Sequence, residues 1–412
     1  MRVRPHATAL VAAAAFVAVA VIVTVGWEVL GDAVTDVPLY RTYGERVAGG
    51  LVPYRDFPFE YPPGALPALV LPALVTESLE AYRAVFVAEL ALVGALAVLT
   101  FDWALRSHGR SGRDRVVILA VVALVPVLLG GVILTRFDLV PAALVAAAVA
   151  LMGLGRLRAA ALVVGAGIAV KLYPAVLVPL LAIAAWRRNG RREALVVVGL
   201  AAVIPVVVYL PFLVVAPDGV ADSLGRQLGR PLQIESLGAG VLLALHHAFG
   251  MSLEWSSGSG SQNLTGTAAD GVAVLQGVGQ VVALGLVWIG FARGEATPER
   301  LLRYSAAALV AFVALSKVLS PQFLIWLVLL VPLVGGIRSR PTLWLTVLAC
   351  ALTAFWFPAR YWELVIEFDP LASWLVLFRG LTLVALLAVL ILPATEPAPA
   401  RSRSPAPSPR RM

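Results

Sequence analysis

The sequence predicts an all-α polytopic membrane protein, a bundle of about 12 transmembrane helices with short re-entrant or interfacial helices. Three observations predict it. Of 412 residues, 60% are hydrophobic and 14% charged, and the mean hydropathy is +0.91. Soluble domains run at about 45–50% apolar and about 25% charged. Runs such as "TALVAAAAFVAVAVIVTVGWEVL" exceed the ~18 uncharged residues that mark a spanning helix. The basic residues gather in short linkers, "RSHGRSGRDR", "GRLR", "WRRNGRR" and "GIRSR", and at the two termini. That is the asymmetry that orients membrane helices.

Apolar segments lie at about 8–30, 81–105, 116–134, 138–155, 159–170, 172–186, 194–216, 271–292, 303–319, 322–337, 341–357 and 372–393. The first follows Arg2 and Arg4 but lacks a clear cleavage site, so it reads as an uncleaved anchor. Segments 64–75 and 237–250 are too short to cross easily and read as re-entrant or interfacial. Residues 159–186 read as a hairpin broken at Lys171-Leu172-Tyr173-Pro174, because one continuous helix would put "RRNGRR" outside. Each arm then spans only about 18–22 Å, so the tip lies below the membrane surface, where irregular backbone must line a cavity or be buried. Twelve crossings place both termini and every basic linker in the cytoplasm. The inner side then carries +15 and the outer side −7. Residues 1–393 form the transmembrane domain, with 31–80 as its first external loop. Residues 394–412 form a disordered Pro/Ser/Arg-rich tail that interacts weakly with anionic membrane lipids.

Several chemistries are excluded. The single cysteine, Cys350, leaves no disulfide or cysteine-metal site. The four histidines show no metal-ligand spacing. No Walker A, GxSxG or DxD motif is present, nor a GxGxxG ahead of a strand. No basic patch lies on a soluble domain, so nucleic acid is not a partner. "GSGSQNLTG" reads as a flexible external loop.

The uncommon polar residues fall outside. The first external loop carries Asp32, Asp36, Glu45, Asp56 and Glu60. Leu39, Tyr43 and Val47 at i, i+4, i+8, followed by Gly49-Gly50, predict a short surface helix. "YRDFPFEYPPG" packs charges among aromatic rings and ends on Pro62-Pro63, which stiffens the backbone. It reads either as an exposed loop or as a rim folded over a cavity. Arg136-Phe137-Asp138 is an external turn. Lys171 and Lys317 are the only lysines, each in apolar surroundings near a proline. Each either snorkels to the interface or faces a functional cavity. Arg226 and Arg230 lie one turn apart. Glu235-Ser236 opens a short apolar helix whose N-terminus suits an anion. Arg360 to Glu363 reads as an interfacial aromatic belt, and Arg379 lies about two turns into the last span.

Five ordered pieces carry a family resemblance: "TDVPLYRTYGERVAGGLVPYRDFPFEYPPGALP", "LTRFDLVPAAL", "VKLYPAVLVPLL", "RQLGRPLQIESLGAGVLL" and "LSPQFLIWLVLLVP". Together they resemble the GT-C superfamily of membrane glycosyltransferases, in particular glycosyltransferase family 87, the polyprenyl-phosphate-mannose-dependent α-mannosyltransferases. The resemblance implies a GT-C-like bundle with a catalytic first external loop. It implies an inverting transfer from a polyprenyl-phosphate sugar to a lipid or glycan acceptor on the outer face of the bacterial plasma membrane. Carried over by position, Asp36 is the catalytic base and Asp32 the runner-up. The chemistry needs one base and cations for the departing phosphate, a role suited to Arg136, Lys171, Arg226, Arg230 and Lys317. Tyr40, Tyr54, Arg55, Asp56, Glu60, Tyr61, Asp138, Tyr173, Glu235 and Gln322 make the substrate-binding rim. No metal site or cofactor is implied, and a divalent cation stays open. The rival readings are a secondary transporter, whose expected repeat is missing, and a lipid-linked sugar flippase.

Overall fold

The computed structural model describes residues 5–29 and 34–392. Asp32 and the tail beyond residue 392 lie outside the described residues. Nineteen helices follow in order among them. α1 (Pro5–Val29), α2 (Val37–Ala48), α3 (Leu66–Val75) and α4 (Leu79–Ser107) come first. Then follow α5 (Gly112–Leu124), α6 (Pro126–Leu129), α7 (Val132–Thr135), α8 (Leu139–Gly153), α9 (Leu157–Val170) and α10 (Val178–Asn189). α11 (Arg191–Val215), α12 (Pro217–Leu228), α13 (Leu237–Phe249), α14 (Thr267–Ala292) and α15 (Pro298–Ala314) carry the middle of the chain. α16 (Phe323–Val328), α17 (Ser339–Ala354), α18 (Tyr361–Glu367) and α19 (Pro370–Ile391) close it.

Five of these are long and apolar enough to cross a membrane: His6–Trp27, Leu79–Ser107, Arg191–Val215, Thr267–Ala292 and Pro370–Ile391. The other seven predicted spans are shorter or interrupted. The stretch at 116–134 breaks into α5, α6 and α7 at Pro126 and at Gly130, whose φ is +62. The stretch at 322–337 is a six-residue helix and a short 3-10 turn beginning beside Pro332. Proline removes an amide donor and clashes with the preceding turn, which accounts for these breaks.

The hairpin expected at 159–186 is present as two antiparallel arms. α9 stops at Val170, Lys171 is extended, and a 3-10 turn over Tyr173–Leu177 leads into α10. At the base, Arg158 pairs with Glu193 at the start of α11, and Gly155 lies beside Arg188. The surface helix forms as α2 and stops at Gly49-Gly50.

The basic linkers meet at one end of the bundle. Arg110 donates to Ser339 Oγ, Arg187 to the carbonyl of Gly294, and Arg338 to the carbonyl of Val389 at 3.0 Å. The polar loops and Lys171 collect at the opposite end. There the all-α expectation needs a correction. "GSGSQNLTG" is an ordered hairpin, β2 (Glu254–Gly258) and β3 (Ser261–Thr265), and a third strand, β1 (Leu232–Gln233), pairs with β3. Asn263 is fully buried, its amide donating to the carbonyls of Gly258 and Ser261. Satisfying that amide needs the tight Ser259-Gly260 turn, at φ +53 and +69, which the glycine-rich stretch supplies.

Candidate active site

The site is built where the first polar loop, the α7–α8 turn, the hairpin tip and the 315–326 segment converge. Asp36 is the N-cap of α2. An aspartate there ordinarily accepts from the N2 or N3 amide. Asp36 makes no such bond, and N2 is Pro38, which has no amide to offer. The carboxylate turns instead to Arg136, whose Nε lies 3.1 Å from Oδ2, and to the Tyr40 hydroxyl, which donates to Oδ2 at 3.4 Å. Its side chain remains 35% exposed, so Arg136 and Tyr40, both on Oδ2, hold it in place and a free face is left for a ligand. Arg136 is buried and also donates to the carbonyl of Val34 at 3.4 Å, tying the α7–α8 turn to the entrance of α2.

Two residues on, Asp138 is fully buried. Its Oδ1 accepts from Lys171 Nζ and from Trp326 Nε1, each at 2.7 Å. The Lys171 ammonium lies 4.9 Å from the ring centre of Phe137, 5.4 Å from Trp326 and 5.9 Å from Phe323. Cations are attracted to aromatic faces at such separations. Lys171 is therefore turned inward, and the snorkelling alternative does not hold. Tyr173 stacks on Trp326 at 3.9 Å. Trp326 escaped the sequence reading, although an indole N–H in an apolar run signals a buried acceptor nearby.

A third layer lies on β1 and the last helix. Glu235 is buried; Gln233 donates to its Oε2, and the Gln233 amide also donates to Ser320 Oγ at 2.9 Å. Burial pushes the Glu235 carboxyl up to about 7, opposed by Arg379, Arg136, the Gln233 hydrogen bond and Arg230. Arg379 is fully buried on α19, faces the Trp356 ring at 5.4 Å, and donates to the carbonyl of Glu235. Its Nε and Nη1 have no hydrogen-bond partner among the described residues.

The expected cations thus divide. Arg136 and Lys171 are matched by Asp36 and Asp138. Arg230 is half-buried with its Nε unpartnered, feeling the charge of Glu60 without an ion pair among the described residues. Lys317 donates to the carbonyl of Leu228 at 2.9 Å, two residues from Arg230. Arg226 is exposed on α12 and reaches this cluster only through the groove that it shares with Arg230.

The rim also divides. Tyr40, Tyr43, Phe57, Phe59 and Tyr61 pack edge-on and stacked as one aromatic block, and Tyr54 joins it through Phe59. The Tyr54 hydroxyl donates to the carbonyl of Tyr61. Burial raises the Glu60 carboxyl, with Asp36 adding to the rise and Arg230 opposing it. Arg55 and Asp56 are not brought to the site: they are exposed, pair with each other at 2.9 Å, and cap the turn through the Val52 amide. They lie on a turn that the Arg55 and Asp56 amides close on the Val52 carbonyl, and both side chains stay exposed, away from the packed rings. Gln322 caps α16 half-buried, with no side-chain hydrogen bond to the cluster among the described residues.

The sequence profile of glycosyltransferase family 87 matches residues 59–321, well over half of the chain. The chain belongs to glycosyltransferase family 87. No curated protein matches it. As a family 87 member it transfers a sugar from a donor to an acceptor, which sets aside the transporter reading. The matched span holds Glu60, Arg136, Asp138, Lys171, Arg230, Glu235 and Lys317. It begins after Asp36 and ends before Gln322 and Trp326, so the two ends of this family 87 site rest on geometry.

Proposed function

We propose that this family 87 glycosyltransferase moves mannose from a polyprenyl phosphate to a lipid or glycan acceptor at the outer face of the cell membrane, with inversion. The observation that carries the reading is the Asp36 carboxylate, uncapped, positioned by Arg136 and Tyr40, and partly open to a ligand. The acceptor hydroxyl attacks the anomeric carbon and gives its proton to Asp36. The bond from that carbon to the phosphate oxygen breaks, and polyprenyl phosphate leaves with the electron pair. Arg230 and Lys317, neither of which has an acidic partner within ion-pair distance among the described residues, stand by the departing phosphate. Charge-assisted hydrogen bonds of this kind stabilise developing anions strongly in a water-poor site. Arg136 and Lys171 organise the carboxylates instead. The basic linkers gathered at the opposite end of the bundle support an outward-facing site with both termini in the cytoplasm.

The test is incubation of membranes with radiolabelled polyprenyl-phosphate mannose, followed by extraction and separation of the products. Wild type yields a labelled product. Asp36→Asn keeps the shape and removes the base, so its rate falls by about 10²–10⁴. Near-normal turnover in Asp36→Asn overturns the assignment of the base.

A further inference from the structure

We propose that the groove between α12 and the tip of the β2–β3 hairpin is the acceptor subsite, and that it takes a neutral, hydroxyl-rich sugar ring. The proposal rests on the transferase reading above.

Three pinned elements build the groove. Gly219, Ser223 and Gln227 fall at i, i+4, i+8 on one face of α12. Ser223 Oγ donates to the carbonyl of Phe59 at 2.7 Å, and Gln227 Nε2 donates to the carbonyl of Glu60 at 3.1 Å. At Gly219 a Cβ would run into the carbonyl oxygen of Tyr54. That face is thereby locked to the aromatic segment, while Asp222 and Arg226 remain on the open side. The hairpin is fixed from behind. Leu232 and Gln233 of β1 pair with Leu264 and Asn263, and the Ile234 amide donates to the carbonyl of Gln262 at 3.0 Å. Its tip overhangs Glu60: a Cβ on Gly260 would lie 3.3 Å from Glu60 Oε2.

The groove has two connected lobes. An inner one of about 180 Å³ is lined by Tyr43, Glu60, Arg226, Arg230 and the hairpin turn. An outer one of about 480 Å³ shares Arg226 and Ser259 and adds Asp222, within the range of about 300–1,000 Å³ usual for small ligands. The inner lobe is lined by Tyr43, which lies about two turns along α2 from Asp36 at the N-cap of the same helix; a molecule lying in the groove therefore has its inner end on the helix that carries the proposed base. The lining sets Glu60 and Asp222 against Arg226 beside the Tyr43 ring, with Arg230 at the inner lobe, on the side of the departing phosphate. Carboxylates accept from hydroxyls, and guanidiniums donate to ring and hydroxyl oxygens. A polyanion would meet Glu60 and Asp222, while Tyr43, Pro58 and Phe59 supply a short apolar wall that suits the face of a sugar ring.

The experiment measures binding of octyl α-D-mannoside and octyl α-D-glucoside to the full chain in nanodiscs by thermophoresis, without donor, for wild type, Asp222→Ala and Arg226→Ala. Both replaced residues are exposed on a helix, so the fold is retained. Saturable binding of at least one glycoside, weakened about tenfold in each variant and not displaced by 1-octanol, is the expected result. Affinity unchanged in both variants, equal displacement by 1-octanol, or no glycoside binding to wild type overturns the proposal. Glycoside binding that follows this pattern while labelled donor gives no product would sink the transfer reading and leave the groove standing.

Discussion

The ammonium of Lys171 has lost most of its water and has Asp138 and three ring faces in exchange. A buried ion pair contributes little net stability when intact, but removing one partner costs about 3–5 kcal/mol because the other charge is stranded. Lys171→Gln is therefore expected to unfold at clearly lower temperature, with Asp138→Asn/Lys171→Gln recovering a large part of the loss in a double-mutant cycle. An additive double mutant would show that the pair does not act as a unit. Glu235 behaves differently. Its folded value, raised to about 7 from 4.5 by burial, favours the protonated form in the fold. Stability from this group is full below about pH 4.5, declines as pH rises, and is lost above about pH 7. Glu235→Gln should flatten that part of the stability-versus-pH curve, as read by unfolding in detergent between pH 4.5 and 8. An unchanged slope would place the titration elsewhere.

Among the elements, α12 decides how the polar rim is held. Its 12 residues are too few and too polar to span a bilayer, so docking against Tyr54, Phe59 and Glu60 fixes it. That docking passes through Gly219, where any side chain meets the Tyr54 carbonyl. Tyr54 itself sits at φ +67, a conformation that costs energy in a non-glycine residue, so the segment has little freedom to give way. Gly219→Ala is predicted to cost about 1–3 kcal/mol by forced displacement. Amide hydrogen exchange over residues 53–61 should speed up, while exchange in α4 and α8 stays as in wild type. Unchanged protection of 53–61 would show that α12 does not clamp the loop.

For the whole molecule, the separation of charge along the bundle is the testable property. With Cys350→Ser removing the buried thiol, single cysteines at Arg55 and Arg113, both exposed at opposite ends, should react with membrane-impermeant reagents from opposite sides. Arg113 is used because neighbouring Arg110 is tied to Ser339 and Asp114. Labelling of both from the same side would refute the orientation.

Composition and periodicity were sufficient for the membrane class, for α2 with its glycine stop, for the break at Lys171 and for the Ser236 cap, whose Oγ accepts from the Ala239 amide. These are local properties: a run of apolar side chains, a proline or a glycine acts within a turn or two of its own position. The same reading counted about twelve crossings where the described residues hold five helices long enough to span and a set of shorter ones, because hydropathy measures greasiness and marks few of the places where a helix breaks. It also read a structured hairpin as a loop, since the order of that hairpin comes from pairing with β1, about 30 residues upstream. The division of the cations was beyond any local signal. Arg136 and Lys171 are neutralised by Asp36 and Asp138, while Arg230 and Lys317 have no such pair among the described residues, because an ion pair depends on distance in space. Residues 100 apart in the chain, Asp36 and Arg136, become neighbours only when the helices between them have packed.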